Sequence, residues 1–391
     1  MEKRVLTQNL LMCLLIAALG ALATSLSSLL DRMAAAIGLA PERVGVFISV
    51  YMVGSCLSAF FGGSLADRLG KRRVIAAGAL LLALGLTGVA ASGGAAMTFV
   101  GLFVLGVGFG PTESMSSALL TDENGARATL WMNLSQIGFG VGAIAAPALV
   151  AWHLGRGGQY PQVFWVCAAG FLGFFLVLAS GVRGRTANVN PESGVNSFRL
   201  LKDRKFLLYA VLVFLYMGYE SVAPAYLKQL FLEKGAGEET ATLTISLFWA
   251  AMLLCRLIGA FLSGKELFSV KFFTMFVIAG IAVTLFARNN ALRIAGVLLY
   301  GFGCGPVWTM IFVLSARVFP DRCGAAYGVM MLFSTAGGAL FPAVIGAWVA
   351  NTQVTFLLCI LIAALVVAGS FWAGRLEKSR VWRHSARFSG D

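Results

Sequence analysis

The sequence predicts an all-α membrane protein: twelve transmembrane helices in two pseudo-symmetric six-helix bundles, with both termini cytoplasmic. Three observations lead there. The first is composition. Of 391 residues, 59% are hydrophobic and only 12% charged, and the mean hydropathy is +0.85, whereas a soluble domain carries roughly 25% charged residues. The second is a series of continuous apolar runs, each near the ~20 residues that cross a bilayer as a helix. Barrel strands would alternate instead of running unbroken. The third is a glycine-proline pattern that recurs at a fixed distance in the two halves.

In chain order the runs cover 9–34, 43–66, 74–92, 97–120, 128–153, 162–182, 205–231, 240–263, 271–287, 292–316, 323–350 and 352–374. One alternate set of connecting segments is rich in Lys and Arg: Lys3 and Arg4; Lys71, Arg72 and Arg73; Arg127; the stretch from Arg183 to Lys205; Lys265 and Lys271; Arg317 and Arg322; and the end of the chain from Arg375 to Arg387. That set is cytoplasmic by the positive-inside rule, and an even helix count then places both termini inside. The formal net charge of +13 is explained by these topology-setting loops, so no nucleic-acid partner is expected. The polar segment 183–204 divides the helices six and six. The expected domains are therefore 1–182, a cytoplasmic linker 183–204, 205–374, and a basic cytoplasmic tail 375–391.

Gly106, Gly108, Gly110, Pro111 and Met115, in GVGFGPTESM, match Gly301, Gly303, Gly305, Pro306 and Met310, in GFGCGPVWTM, each pair 195 residues apart. Pro147-Ala148 matches Pro342-Ala343 at the same offset. Two blocks in register imply duplicated halves, the architecture of carriers that alternate access to a midplane site. The glycines themselves are read as packing positions, where small residues let helices approach.

Other classes are disfavoured. The seven cysteines show no metal-ligand spacing, and His153 and His384 are the only histidines, so neither a metal site, a cofactor nor a histidine acid–base centre is expected, and the chain is not read as an enzyme. The apolar run that follows MEKRVLTQNLLMCLL is too long for a signal peptide and reads as a retained first helix.

After the second run comes GSLADRLGKRR, Gly63 to Arg73. It resembles the signature loop between helices 2 and 3 of the major facilitator superfamily, G-x-L-(A/G)-D-R-x-G-R-(R/K)-x, with Lys71 where Arg is usual. The resemblance implies a rocker-switch carrier, multi-pass in the bacterial inner membrane and monomeric, with helices 1, 4, 7 and 10 lining a cavity. It assigns gating to Gly63, Asp67, Arg68, Gly70 and Arg72, with Asp67 expected to hold the cytoplasmic ends of the two halves together in the outward-facing state. The corresponding place after helix 8, around Gly264-Lys265-Glu266, lacks the pattern.

Ionisable residues inside spans mark function by default. Glu113, in helix 4, and Glu220, in helix 7, are the candidate proton-coupling acids. Burial penalises the charged form of a carboxyl, so either can exchange between neutral and ionised states. Ser116 and Ser117 lie on the Glu113 face. In LYMGYESVAPAYL, Tyr216, Tyr219 and Glu220 form a candidate substrate stripe, and Pro224 is expected to interrupt the helix. Asn133 and Gln136 on helix 5, Trp308 at the repeat position of Glu113, and Arg256 on helix 8 complete the candidate binding set. Arg256 either pairs with an acid or snorkels to the cytoplasmic surface.

The proton-driven drug exporters of the superfamily carry an arginine in helix 4, three residues before a glycine. Here Phe103 stands before Gly106, and the Gly-Pro pattern of helix 5 is matched only loosely by Gly138, Gly140, Gly142 and Pro147. GFGPTESM, NLSQIGFGVGAIAAP, FLYMGYE and YGFGCGP look like the fucose–glucose–galactose proton symporter branch, in which an acid on helix 4 takes part in coupling. The second acid expected on helix 1 is replaced by Ser25, Ser27 and Ser28, with Asp31 near the outer end. The expectation is a secondary active carrier of a small polar solute, a sugar or related organic compound, coupled to protons as a symporter. A drug or metabolite exporter of the same fold is the alternative.

Overall fold

A computed structural model describes residues 3–39, 45–180, 197–348 and 351–388. Among these the helices are α1 (Lys3–Ala36), α2 (Gly45–Leu69), α3 (Lys71–Ala90), α4 (Ala95–Asn124), α5 (Ala128–Gly155), α6 (Tyr160–Ala179), α7 (Arg204–Glu233), α8 (Glu238–Gly259), α9 (Glu266–Phe286), α10 (Asn290–Cys304), α11 (Val307–Ala316), α12 (Cys323–Trp348) and α13 (Thr352–Phe388). Eleven segments are long and apolar enough to cross a membrane, and one of these, Ala95–Gly155, contains both α4 and α5. Large apolar side chains such as Leu14, Phe61, Val100, Val166, Phe261 and Phe286 stand exposed, as lipid-facing positions require. Most of the expected linker, 183–196, lies outside the described residues.

Three elements differ from expectation. Pro224 does not interrupt α7, which is continuous from Arg204 to Glu233. The last helix does not stop at 374, since α13 continues to Phe388. The tenth apolar run is two helices, α10 and α11, parted at Gly305-Pro306. Pro306 has no N–H for the Phe302 carbonyl, and the Gly305 N–H takes it at 3.2 Å. Pro111, its partner in the repeat, sits inside an unbroken α4.

The chain divides into two compact units. The first comprises 1–197 and 319–332, and the second 198–318 and 333–391. In the first, α4 packs on α2 and α3, α1 on α5, and α3 on α6. In the second, α10 packs on α8 and α9, α7 on α8 and α13, and α9 on α13.

Glycines set these approaches, and lipid-embedded helices need them because apolar burial gives no net drive between helices. A Cβ on Gly106 would fall on the Tyr51 carbonyl of α2, and one on Gly301 on the Phe248 carbonyl of α8. Gly85 and Gly101 face each other between α3 and α4, as do Gly280 and Gly296 between α9 and α10. These last pairs are again 195 residues apart, an extension of the repeat that sequence reading passed over in a chain of 46 glycines.

Gly106→Val and Gly301→Val are expected to abolish the monodisperse peak in detergent size-exclusion chromatography. Gly173→Val is expected to leave it unchanged, because nothing lies within 4 Å of a Cβ added on Gly173.

Candidate functional site

Asp67 ends α2 with its side chain buried. Its Oδ1 accepts the Gly324 N–H at 2.9 Å and its Oδ2 the Ala325 N–H at 2.8 Å. Those are among the first N–H groups of α12, which have no partner within their own helix, and a carboxylate there is favoured by both hydrogen bonding and the helix dipole. Gly63 allows the approach, since a Cβ on it would meet the Gly324 carbonyl. Gly70 makes the turn into α3 with φ +92°. Arg72 donates to the Leu178 carbonyl at the end of α6, at 3.1 Å. Arg68 is exposed and, among the described residues, makes no hydrogen bond or ion pair. Four of the five residues expected to gate thus form one structure, and Arg68 stands outside it.

Sequence reading took Lys71 only as one of the topology-setting cations of its loop. It is instead buried, 3.8 Å from Asp67 and 2.5 Å from Asp122 at the end of α4. The second unit holds a matching pair. Glu266, the first residue of α9, is buried and accepts from both terminal nitrogens of Arg317, at 2.9 and 2.6 Å. It also accepts the Gly264 N–H at 2.9 Å. Lys71 and Glu266 are 195 residues apart, and so are Asp122 and Arg317. The same bridge is therefore built twice with its charges exchanged. Lys71 must be positive because Asp67 sits one turn before it. Leu262, Ser263, Gly264 and Lys265 precede Glu266, with no acid among them to impose a sign. The fixed offset, applied to charges of either sign, would have found the pair.

Glu113 is half-buried on α4. Among the described residues its carboxylate makes no hydrogen bond or ion pair, and its charge acts on Tyr51 of α2. On α5, Asn133 is fully buried and donates back to the Thr129 carbonyl at 2.9 Å. Gln136 is buried one turn further along.

In the second unit the structure brings the remaining candidates together. Tyr216 donates to the Cys304 carbonyl at 3.0 Å, and Arg256 Nε to the Gly305 carbonyl at 3.1 Å. These are carbonyls at the α10–α11 break, so α7 and α8 supply the donors that hold it. The glycine contacts that pair Tyr51 with Phe248, and Ala17 with Phe214, match Arg256 to Ala59 and Tyr216 to Leu19. Neither has a donor, and α4 stays whole. Arg256 is buried rather than snorkelled, and its charge acts on Glu220. Tyr219 is fully buried and packs edge-on against Tyr216 at 5.2 Å, and its carbonyl accepts the Tyr300 hydroxyl. Trp308 stacks on Phe312 at 3.9 Å and donates to Ser334 Oγ at 2.9 Å. The polar atoms of Tyr216 and Trp308 are thus engaged by the protein, while the Glu220 carboxylate, 8% exposed, makes no hydrogen bond among the described residues.

The family model of the Major Facilitator Superfamily matches residues 10–342. The chain belongs to this superfamily. It is a multi-pass integral membrane transporter of small molecules. Multidrug resistance protein MdtL of Klebsiella pneumoniae (strain 342) is 25% identical over 366 residues, 86% of this chain and 88% of MdtL. The glucose/mannose transporter GlcP of Bacillus subtilis (strain 168) is 23% identical over 66% of each chain. The crystal structure of FucP in the outward conformation superposes with a TM-score of 0.79, covering 93% of this chain and 98% of that one. At 18% sequence identity that likeness establishes the superfamily fold.

Glu266 is buried but the Arg317 side chain is 47% exposed, so the pair is partly screened by solvent, while a carboxylate left buried without its partner carries the larger cost. Arg317→Gln is therefore expected to lower the unfolding midpoint in detergent by a few °C, and Glu266→Gln by less. The exchange E266K/R317D is expected to regain most of that loss. The exchange K71D/D122K is not, because the carboxylate it introduces would face Asp67. Thermal unfolding of the four variants checks both outcomes.

Proposed function

We propose that this transporter is a proton-coupled symporter carrying a small polar solute, a sugar or related organic compound, across a bacterial inner membrane. Its two pseudo-symmetric six-helix bundles, 1–182 and 205–374, work by alternating access, with the linker 183–204, the tail 375–391 and both termini cytoplasmic. The observation that carries the reading is Glu113: a half-buried acid inside a span, with no hydrogen-bond or ion-pair partner among the described residues. A carboxylate kept there without a neutralising partner is costly, and a proton that comes and goes removes that cost. Glu113 does not recur in the repeat, where Trp308 holds its place, so it belongs to one half's task and not to the scaffold.

Glu220 and Arg256 are assigned to the solute, with Glu220 also a candidate proton site. Tyr216, Tyr219 and Trp308 serve as walls, and Asn133 and Gln136 as the polar contribution of α5. Gly63, Asp67, Arg68, Gly70 and Arg72 are assigned to gating, with Lys71 beside them. A solved neighbour supports the coupling: a second crystal structure of FucP, the E. coli fucose:proton symporter, superposes with a TM-score of 0.76. A single proton moving with its charge supplies about 2.3 kcal/mol per 100 mV, roughly 50-fold accumulation. The match to MdtL favours a second reading, a proton-coupled exporter of drugs or metabolites.

Uptake of labelled L-fucose, D-glucose and L-arabinose into proteoliposomes, with and without an inward proton gradient, tests the first reading. The gradient is expected to drive accumulation of at least one of them, and Glu113→Gln to remove the gradient dependence while leaving exchange intact. Full gradient dependence in Glu113→Gln would overturn the coupling assignment. Resistance of overexpressing cells to toxic cations, without sugar uptake, would favour the exporter.

A further inference from the structure

From Glu113 toward the cytoplasmic end of α4 the polar residues follow a helical face: Glu113, Ser117 and Thr121, each four residues on. Eight residues of helix span about 12 Å, and side chains four apart are neighbours on one face. The stripe alone could be packing chemistry. Two further features of the first unit give it direction.

The first is a set of buried polar atoms without partners. Ser116 and Ser117 are fully buried, and Trp131 on α5 nearly so. Ser116 Oγ, Ser117 Oγ and Trp131 Nε1 make no hydrogen bond. Buried polar groups are satisfied in the great majority of cases, by ordered water where protein offers no partner. Ser116 Oγ and Ser117 Oγ, two orphans between Glu113 and the end of α4, mark a place for water beside Ser117.

The second is the hydroxyl pair that follows. Thr121 Oγ and the Tyr327 hydroxyl of α12 are 2.6 Å apart, and either can donate. Thr121 Oγ also lies 3.1 Å from the Ser117 carbonyl, and the Tyr327 hydroxyl 3.7 Å from Met132 Sδ on α5. The pair therefore has two complete arrangements. In one, Thr121 donates to the Ser117 carbonyl and Tyr327 donates to Thr121. In the other, Thr121 donates to Tyr327 and Tyr327 donates to Met132 Sδ. Both hydrogens are engaged either way, so the polarity of the pair reverses without leaving a donor stranded. A hydroxyl that passes a proton must reverse in this way before it passes the next.

We propose that Ser117, Thr121 and Tyr327 are the relay by which a proton leaves Glu113 for the cytoplasm. This rests on the reading of Glu113 as the proton site. The protonated carboxyl gives its hydrogen to a water beside Ser117. Each oxygen along the path accepts one hydrogen and releases another; for the release the Tyr327 hydroxyl turns from Met132 Sδ to the Asp122 carboxylate, whose charge acts on it, so Asp122 takes the proton and passes it to water, and Glu113 is left as the carboxylate. Asp122, whose side chain is 15% exposed, is the first acid past the pair and the outlet. The titratable groups around the path are Tyr51 on α2 at its inner end, and Cys323, Asp122 and Lys71 at its outer end. Ser117, Thr121 and Tyr327 hold no substrate in this scheme; they are positioning residues for the proton.

The test needs no substrate. Sealed vesicles with the cytoplasmic face outward are given a pH jump, and carboxyl bands are followed by time-resolved infrared difference spectroscopy. The responsive band missing from Glu113→Gln belongs to Glu113. Its response is expected to slow at least tenfold in Tyr327→Phe, Thr121→Val and Ser117→Ala, with the same end level. Ser117→Thr, which keeps the hydroxyl, is expected to restore the rate, and Ser135→Ala, outside the path, to leave it unchanged. A Glu113 band that responds as fast in Tyr327→Phe and Ser117→Ala as in the wild type overturns the relay and leaves the proton site standing. If Glu113→Gln removes no responsive band, the proton site falls and the relay with it.

Discussion

The contact on which the rest of the first unit depends is backbone against backbone where α4 crosses α2 and α3. Water expels apolar side chains from solvent, but lipid gives helices no such push together. What remains is close fit, and Gly106 against Tyr51, with Gly85 against Gly101, supplies it. The consequence reaches the chemistry. A helix clasped this tightly holds its C-terminal part buried, from Ser114 to Thr121. Glu113 stands at the head of that buried stretch, with Ser117 and Thr121 inside it. The same glycine geometry in the second unit holds α10 on α8 and α9, where it places the break at Gly305 beside Arg256 and Tyr216.

Charge is handled by pairing rather than by exclusion. Asp67 meets helix N–H groups, Lys71 meets two carboxylates, and Glu266 meets a guanidinium and a backbone N–H. Each is a charge removed from water that survives because hydrogen bonds replace its hydration. The inverted bridge in the second unit shows what the repeat preserves. The link between the start of one helix and the end of the next is kept, and the sign follows the neighbour one turn away. Glu113 departs from this rule among the buried charges of the first unit, and that departure sets it apart from the scaffold.

Much was legible beforehand. Eleven of the twelve apolar runs each appear as one helix, the tenth being split in two and the last running on to Phe388, and the loop from Gly63 to Arg73 carries the superfamily resemblance. Pro306 and Pro111, by contrast, sit in equal sequence surroundings and give a broken and an unbroken helix. The donors that decide between them lie far off in the chain. Tyr216 is 88 residues from Cys304, and Arg256 is 49 from Gly305. Lys71 read as a topology-setting loop cation because a lysine at a helix boundary usually is one. Its burial depends on Asp122, 51 residues away.

The sequence by itself determined the number and length of the spans, the duplicated glycine frame, and the presence of an acid in each of helices 4 and 7. Those properties follow from hydropathy and spacing, which are local and additive along the chain. Only the tertiary structure decided which polar atoms are occupied: the Tyr216 hydroxyl on Cys304, the Trp308 N–H on Ser334, Asp67 on the first turn of α12, and Thr121 on Tyr327. A hydrogen bond joins two particular atoms brought within about 3 Å. No period in the sequence records which distant helix supplies the second one.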